Sequence, residues 1–179
     1  MFKIMPSLKY LAISTLLFAP SAFSATDGTL GVTSTFSYNV TITIPERVRI
    51  SGLQDIAFGQ YPGTGDVRQD DDVCIYSNTS GGNYDVTITG DGAGSAFTIA
   101  SGGNTIPYRV FWNDVTGTAG QAEAATGVTL SARTAAHRTS TTCSGGNTAN
   151  IDILMEEGNV QSKPNGSYSG VVTIVVEPN

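Results

Sequence analysis

Charge is scarce in this chain of 179 residues, where Asp, Glu, Lys and Arg together make up 13%. Histidine and tryptophan occur once each and cysteine twice. The single histidine, His137, sits in the polar stretch Ala135-Ala136-His137-Arg138. With no neighbouring carboxylate in sequence, it reads as a solvent-exposed bystander and leaves no basis for a Ser or Cys triad or a histidine-rich metal site. No apolar run reaches the ~20 residues a membrane span needs. Helix-forming sequence is nearly missing too: only Ala119–Ala125 (AGQAEAA) has that composition, and Gly127 with the β-branched residues after it limits a helix there to a turn or two. Cationic surface is lacking, since Lys and Arg total 9 against 15 Asp and Glu. That balance argues against nucleic acid and against anionic membranes.

What the chain does have begins at its first residues. Lys3 and Lys9 form a positive start, Leu11–Phe18 a short apolar core, and Ala22-Phe23-Ser24 small residues at the -3 and -1 positions. Residues 1–24 therefore read as a secretory signal peptide cleaved after Ser24, with no direct membrane insertion afterwards. The remaining 155 residues (179 less 24) suit one domain. Their charge is 7 Lys and Arg, after the two signal lysines are removed, against 15 acids, or -8.

The strongest periodic signal follows. Even positions read Leu30, Val32, Ser34, Phe36, Tyr38, Val40, Ile42, Ile44, while the odd positions Thr29–Thr43 are Thr, Gly, Ser or Asn. Strict period two marks extended chain with one buried face. The run exceeds the usual strand of about 5–6 residues, so it divides into an N-terminal arm, residues 25–37, and a first domain strand near Tyr38–Ile44, opening a domain over residues 38–179. Short strands are expected near Val48–Phe58, Val73–Ser77, Tyr84–Thr89, Ala96–Ile99, Thr105–Trp112, Gly127–Ser131, Ala149–Met155 and Tyr168–Val176. Gly-, Asn- and Ser-rich turns separate them. This pattern predicts an all-β sandwich.

Cys74 and Cys143, the only cysteines, pair as a disulfide in an oxidising compartment. Other chemistry is thin. Gly166-Ser167-Tyr168-Ser169-Gly170 has tyrosine where a nucleophile elbow needs serine. Gly90–Gly94 leads into a strand pattern and cannot cradle phosphate. Asp70-Asp71-Asp72 fits no calcium loop and reads as a solvated acidic loop. Glu156-Glu157 reads as solvation at a strand end. Trp112, near Tyr108, reads as core rather than as a sugar-binding shelf. No catalytic residue, metal or cofactor is expected.

Three stretches carry a resemblance: the alternating arm after the signal peptide, Ile56-Ala57-Phe58-Gly59-Gln60-Tyr61, and Gly166-Ser167-Tyr168-Ser169-Gly170 followed by the alternating Val171–Val176. Together they resemble chaperone–usher pilin subunits, and among them the spore coat protein U-like secreted pilins. The chain departs from that group in lacking a cysteine between Val48 and Ile56, and from many classical pilins in having Pro178 next to last.

The resemblance implies an immunoglobulin-like sandwich that lacks its last strand and is completed by the arm of another subunit. It implies a surface pilus or fimbria supporting adhesion or biofilm formation. Its partners would be other pilin subunits, as homopolymer or heteropolymer, a periplasmic chaperone and an outer-membrane usher. The location would be the periplasm in transit, then the cell surface or medium. Leu30, Val32, Ser34 and Phe36 would be the donor anchors. The receiving groove would be flanked by Val171, Val172, Ile174 and Val176 on one side and the strand Tyr38–Ile44 on the other. An alternative stays open: the arm is an edge strand of its own complete sandwich, in a monomeric secreted binding module for carbohydrate or a surface.

Overall fold

A computed structural model of the chain describes residues 25–179; the predicted signal peptide, residues 1–24, lies outside the described residues. The chain divides into one unit through Ile44 and a second, Pro45–Asn179.

In the first unit, Thr26 and Ser37 form an isolated antiparallel bridge, with N–H···O distances of 3.2 and 3.4 Å. The chain bends at residues 30–33 between them. Residues 38–44 show neither strand pairing nor bend. The expected first domain strand Tyr38–Ile44 is therefore absent as a strand, and the second unit opens instead with β1 at Val48–Ser51. The period-two pattern reports an extended chain with one apolar face; it does not report where the partner strand is.

The second unit is all-β. Its strands are β1 (Val48–Ser51), β2 (Val67–Ser77), β3 (Tyr84–Gly90), β4 (Thr98–Ser101), β5 (Asn104–Pro107), β6 (Arg109–Asn113), β7 (Ala122–Ala124), β8 (Thr129–Arg133), β9 (Ala149–Met155) and β10 (Val172–Pro178), with one short helix, α1, at Glu157–Val160. One sheet has the order β1-β2-β9-β6-β7 and a second the order β10-β3-β8, all pairs antiparallel; β4 and β5 form a hairpin. The two larger sheets enclose the core. Alternation decides which side chains enter it: Val73 and Ile75 of β2, Tyr84, Val86 and Ile88 of β3, Val110 and Trp112 of β6, and Ile151, Ile153 and Met155 of β9 are all buried. The expected sandwich is the observed fold.

Two local expectations change. Ala122–Ala124, within the stretch of helical composition, is a strand paired to β6, because an open sheet edge outweighs weak propensity. Asp70–Asp72 is not a loop but part of β2, aligned with Asn150–Asp152 of β9. Cys74 and Cys143 are bonded, with Cα atoms 5.7 Å apart. The bridge ties the loop before β9 to β2, and His137 adds main-chain bonds to Ile75 and Ser77 there.

Candidate functional site

The sandwich has a seam between sheets where β1 edges one and β10 edges the other. β1 lies against β10 but stops at Ser51, where Gly52 (φ +87°) turns the chain out of the ladder. Residues 52–61 continue without strand pairing. β10 hydrogen-bonds to β3 on one side only, so among the described residues its other edge carries no ladder.

A groove of about 1240 Å³ fills the space between. One wall is the continuous segment Leu53–Tyr61; the other includes Lys163–Val172 and Ile174. Its floor is apolar, with Ile151, Ile153 and Met155 from β9, Val67 from β2, Ile106 from β5, and Ile99 and Tyr108. Ile56 and Phe58 turn half-buried side chains toward the core, and Gly59, at φ +69°, ends that stretch in a conformation that favours glycine. Leu53 (46% exposed) and Val171 (59%) stand open at the rim. Burial pushes the pKa of the Tyr108 hydroxyl in the floor up to about 12, with a smaller contribution from Asp91. The physical content is an apolar slot beside an unpaired strand edge, the geometry that accepts an added strand.

The expected site residues fall in separate places. Of the flanking set, Val171, Val172 and Ile174 line the groove. Val176 does not; it packs against the core further along β10. Within the second unit, the opposite wall is Leu53–Tyr61. The expected anchors Leu30, Val32, Ser34 and Phe36 lie in the first unit and are exposed, Leu30 and Val32 completely. Tyr38, Val40, Ile42 and Ile44 are exposed as well.

Other candidates resolve as structure. Trp112 is fully buried against Tyr84, ring to ring at 6.5 Å, and cannot serve as a sugar shelf. His137 is half-buried rather than an exposed bystander, and its Nδ1 accepts hydrogen bonds from the Thr139 and Ser140 amides. Asp70 and Asp72 accept from the Asn150 amide, 2.7 Å each, and Asp72 also from the Gly117 amide. Glu156 reaches Arg109, and Glu157 opens α1. Among the described residues no group of three or more His, Cys, Asp or Glu is placed to hold a metal. No described helix is long and apolar enough to cross a membrane.

Sequence reasoning missed the groove floor as a site. Ala149–Met155 was legible as a strand, but whether its inner face is closed by its own chain is not written in its alternation. It missed also the buried Asp152, which Arg68 meets through Nε at 2.7 Å.

No protein-family model matches the chain. No curated protein matches it either. Among solved structures, a chain from a chaperone–tip adhesin complex, described as vital for synergistic activation of CFA/I fimbriae biogenesis, is similar at 15% identity with a TM-score of 0.52. The match covers 74% of this chain and 42% of that one, so it spans less than half of that chain's length. At this identity the likeness concerns fold. The protein is an all-β chain whose antiparallel sandwich is shared with a chain of a fimbrial chaperone–adhesin complex.

Proposed function

We propose that this chain is an exported, non-enzymatic structural subunit of a bacterial surface fibre, of the chaperone–usher pilin kind, joined to its neighbours by strand donation. One observation carries the reading: an apolar groove along the unpaired edge of β10 coexists, on one chain, with an exposed, uncharged run of strict period two. Each feature alone is a solubility hazard. Paired between copies, they cancel. Main-chain hydrogen bonds to β10 supply affinity, and alternate side chains entering the groove set register. Burying each large anchor contributes about 1.5–3 kcal/mol.

The donor lies within Leu30–Ile44, whose first half holds the anchors the pilin resemblance implies, Leu30, Val32, Ser34 and Phe36, and whose second half continues the same alternation. Until a donor arrives, a chaperone covers the groove, and an usher passes the subunit to the surface, where the fibre serves adhesion or biofilm formation. The likeness to a chaperone–adhesin complex supports this reading through the fold.

Deletion of Asp27–Ile44 tests it. The expected product folds, keeps the Cys74–Cys143 bond, fails to form fibres, and binds a synthetic peptide of residues 29–44. A deleted chain that unfolds even with the peptide present makes the run part of its own sandwich. That outcome favours the monomeric binding module.

A further inference from the structure

The alternating run is longer than the groove. The wall Leu53–Tyr61 is nine residues, about 30 Å of extended chain at ~3.3 Å per residue, room for about five side chains of one parity. The run offers eight even positions, Leu30 to Ile44. Resting on the fibre reading above, we infer that the strand donated is Phe36–Ile44, seated in the groove of a second copy of this chain, with Pro45–Arg47 as a short joint clamped by Asn78.

Conformation separates the two halves of the run. Residues 26–37 are folded back: Thr26 and Ser37 exchange two main-chain hydrogen bonds and the chain bends at 30–33. Gly28 packs so closely inside this loop that an added Cβ would collide with Ser34 Oγ and lie 2.8 Å from the Thr35 carbonyl oxygen. Seating Leu30–Phe36 in a groove requires that loop to open. Residues 38–44 are already free of turns and pairing, so seating Phe36–Ile44 has to release only the Thr26–Ser37 bridge at its first two residues.

The side chains favour the same half. Phe36–Ile44 places Phe36, Tyr38, Val40, Ile42 and Ile44 inward, with Ser37, Asn39, Thr41 and Thr43 outward. The equivalent window ending at Phe36 would send in Gly28, Leu30, Val32, Ser34 and Phe36. It would leave four large apolar side chains, Tyr38 to Ile44, in water along every joint of the fibre. No charge lies between Asp27 and Glu46, so none is desolvated on entry.

The occupant is a second copy: Val40 is 82% and Ile42 86% exposed, two large apolar side chains open to a neighbouring groove. The joint is equally short. Only Pro45–Arg47 separates Ile44 from β1. Asn78, just past the end of β2, holds the first and last of them, Pro45 and Arg47. Its Nδ2 donates to the Pro45 carbonyl at 2.9 Å, its Oδ1 accepts from the Arg47 amide at 2.6 Å, and its own amide donates to the Arg47 carbonyl at 3.1 Å. A donated strand leaving such a clamp fixes the next subunit's direction, with no flexible spacer.

The test uses the full chain, exported and folded, with fibre mass read by electron microscopy and sedimentation. Val40→Asp and Ile42→Asp, each burying an unpaired carboxylate, should cut fibre mass by at least roughly tenfold, while Leu30→Asp and Val32→Asp stay within about twofold of the unchanged chain. All four sites are exposed in the subunit, so folding should hold, checked by circular dichroism. The reverse pattern, or loss in all four, overturns the register and leaves strand donation standing. No loss in any of the four overturns strand donation itself. Asn78→Ala should leave fibre mass unchanged and shorten the bending persistence length; fibres of unchanged stiffness refute the clamped joint.

Discussion

Asp152 lies on the face of β9 opposite Ile151 and Ile153, fully buried, with the Arg68 guanidinium beside it. Arg68 and Arg109 also stack over the Phe111 ring, 5.3 and 5.0 Å from its centre. Removing the cation leaves a carboxylate buried without its charge partner, which costs about 3–5 kcal/mol for fully buried pairs. Arg68 is 43% exposed, so solvent offsets part of that. Arg68→Met is expected to lower stability by about 2 kcal/mol, read as a lower urea midpoint; an unchanged midpoint would show that water alone solvates Asp152.

Tyrosine ionisation gives a second prediction at this scale. Burial raises the pKa of Tyr84, fully buried in the core, and pushes Tyr108 up to about 12. A raised acid pKa means that the folded state keeps protons the unfolded state loses above its ordinary value of 10.0. The stabilisation is complete below that value and is lost as pH rises through the folded values. Stability should therefore fall between about pH 10 and 12, and the tyrosinate absorbance of these two residues should rise only with unfolding. Early titration of every tyrosine in a folded chain would contradict the burial.

At the scale of elements, the disulfide is the plainest case. It closes a loop with a sequence separation of 69 residues between β2 and the segment before β9. Replacing both cysteines by alanine should cost about 4 kcal/mol in the chain-entropy picture, seen as a lower thermal midpoint that reductant no longer affects. Little change would mean the loop is held by its hydrogen bonds, such as the Thr148 hydroxyl to Ile75.

Elements also show what was legible in the sequence. Ala149–Met155 has the bounds its composition indicates, because a central strand is rich in β-formers and its neighbours add no ambiguity. Val67–Asp72 was not legible: five polar residues in a row hide a strand whose outward and inward faces both carry hydrogen-bonding partners. Val48–Phe58 reads as one strand but stops pairing after Ser51, since only tertiary placement tells a paired edge from a groove wall. Of the candidate site, the final strand and the alternating run were visible. The groove floor was not, because its residues come from β2, β5 and β9, which are distant in sequence.

For the whole molecule, the proposed assembly needs a sandwich with one open seam and a run that closes it on another copy. Engineered cysteines test that directly: Ile42→Cys copies mixed with Val172→Cys copies, polymerised and oxidised, then separated without reductant. Mixed dimers joined through these two positions are expected, formed in fibres and absent when either cysteine is missing. A double variant that instead closes the bond within a single chain, with no dimer at any concentration, would contradict the assembly.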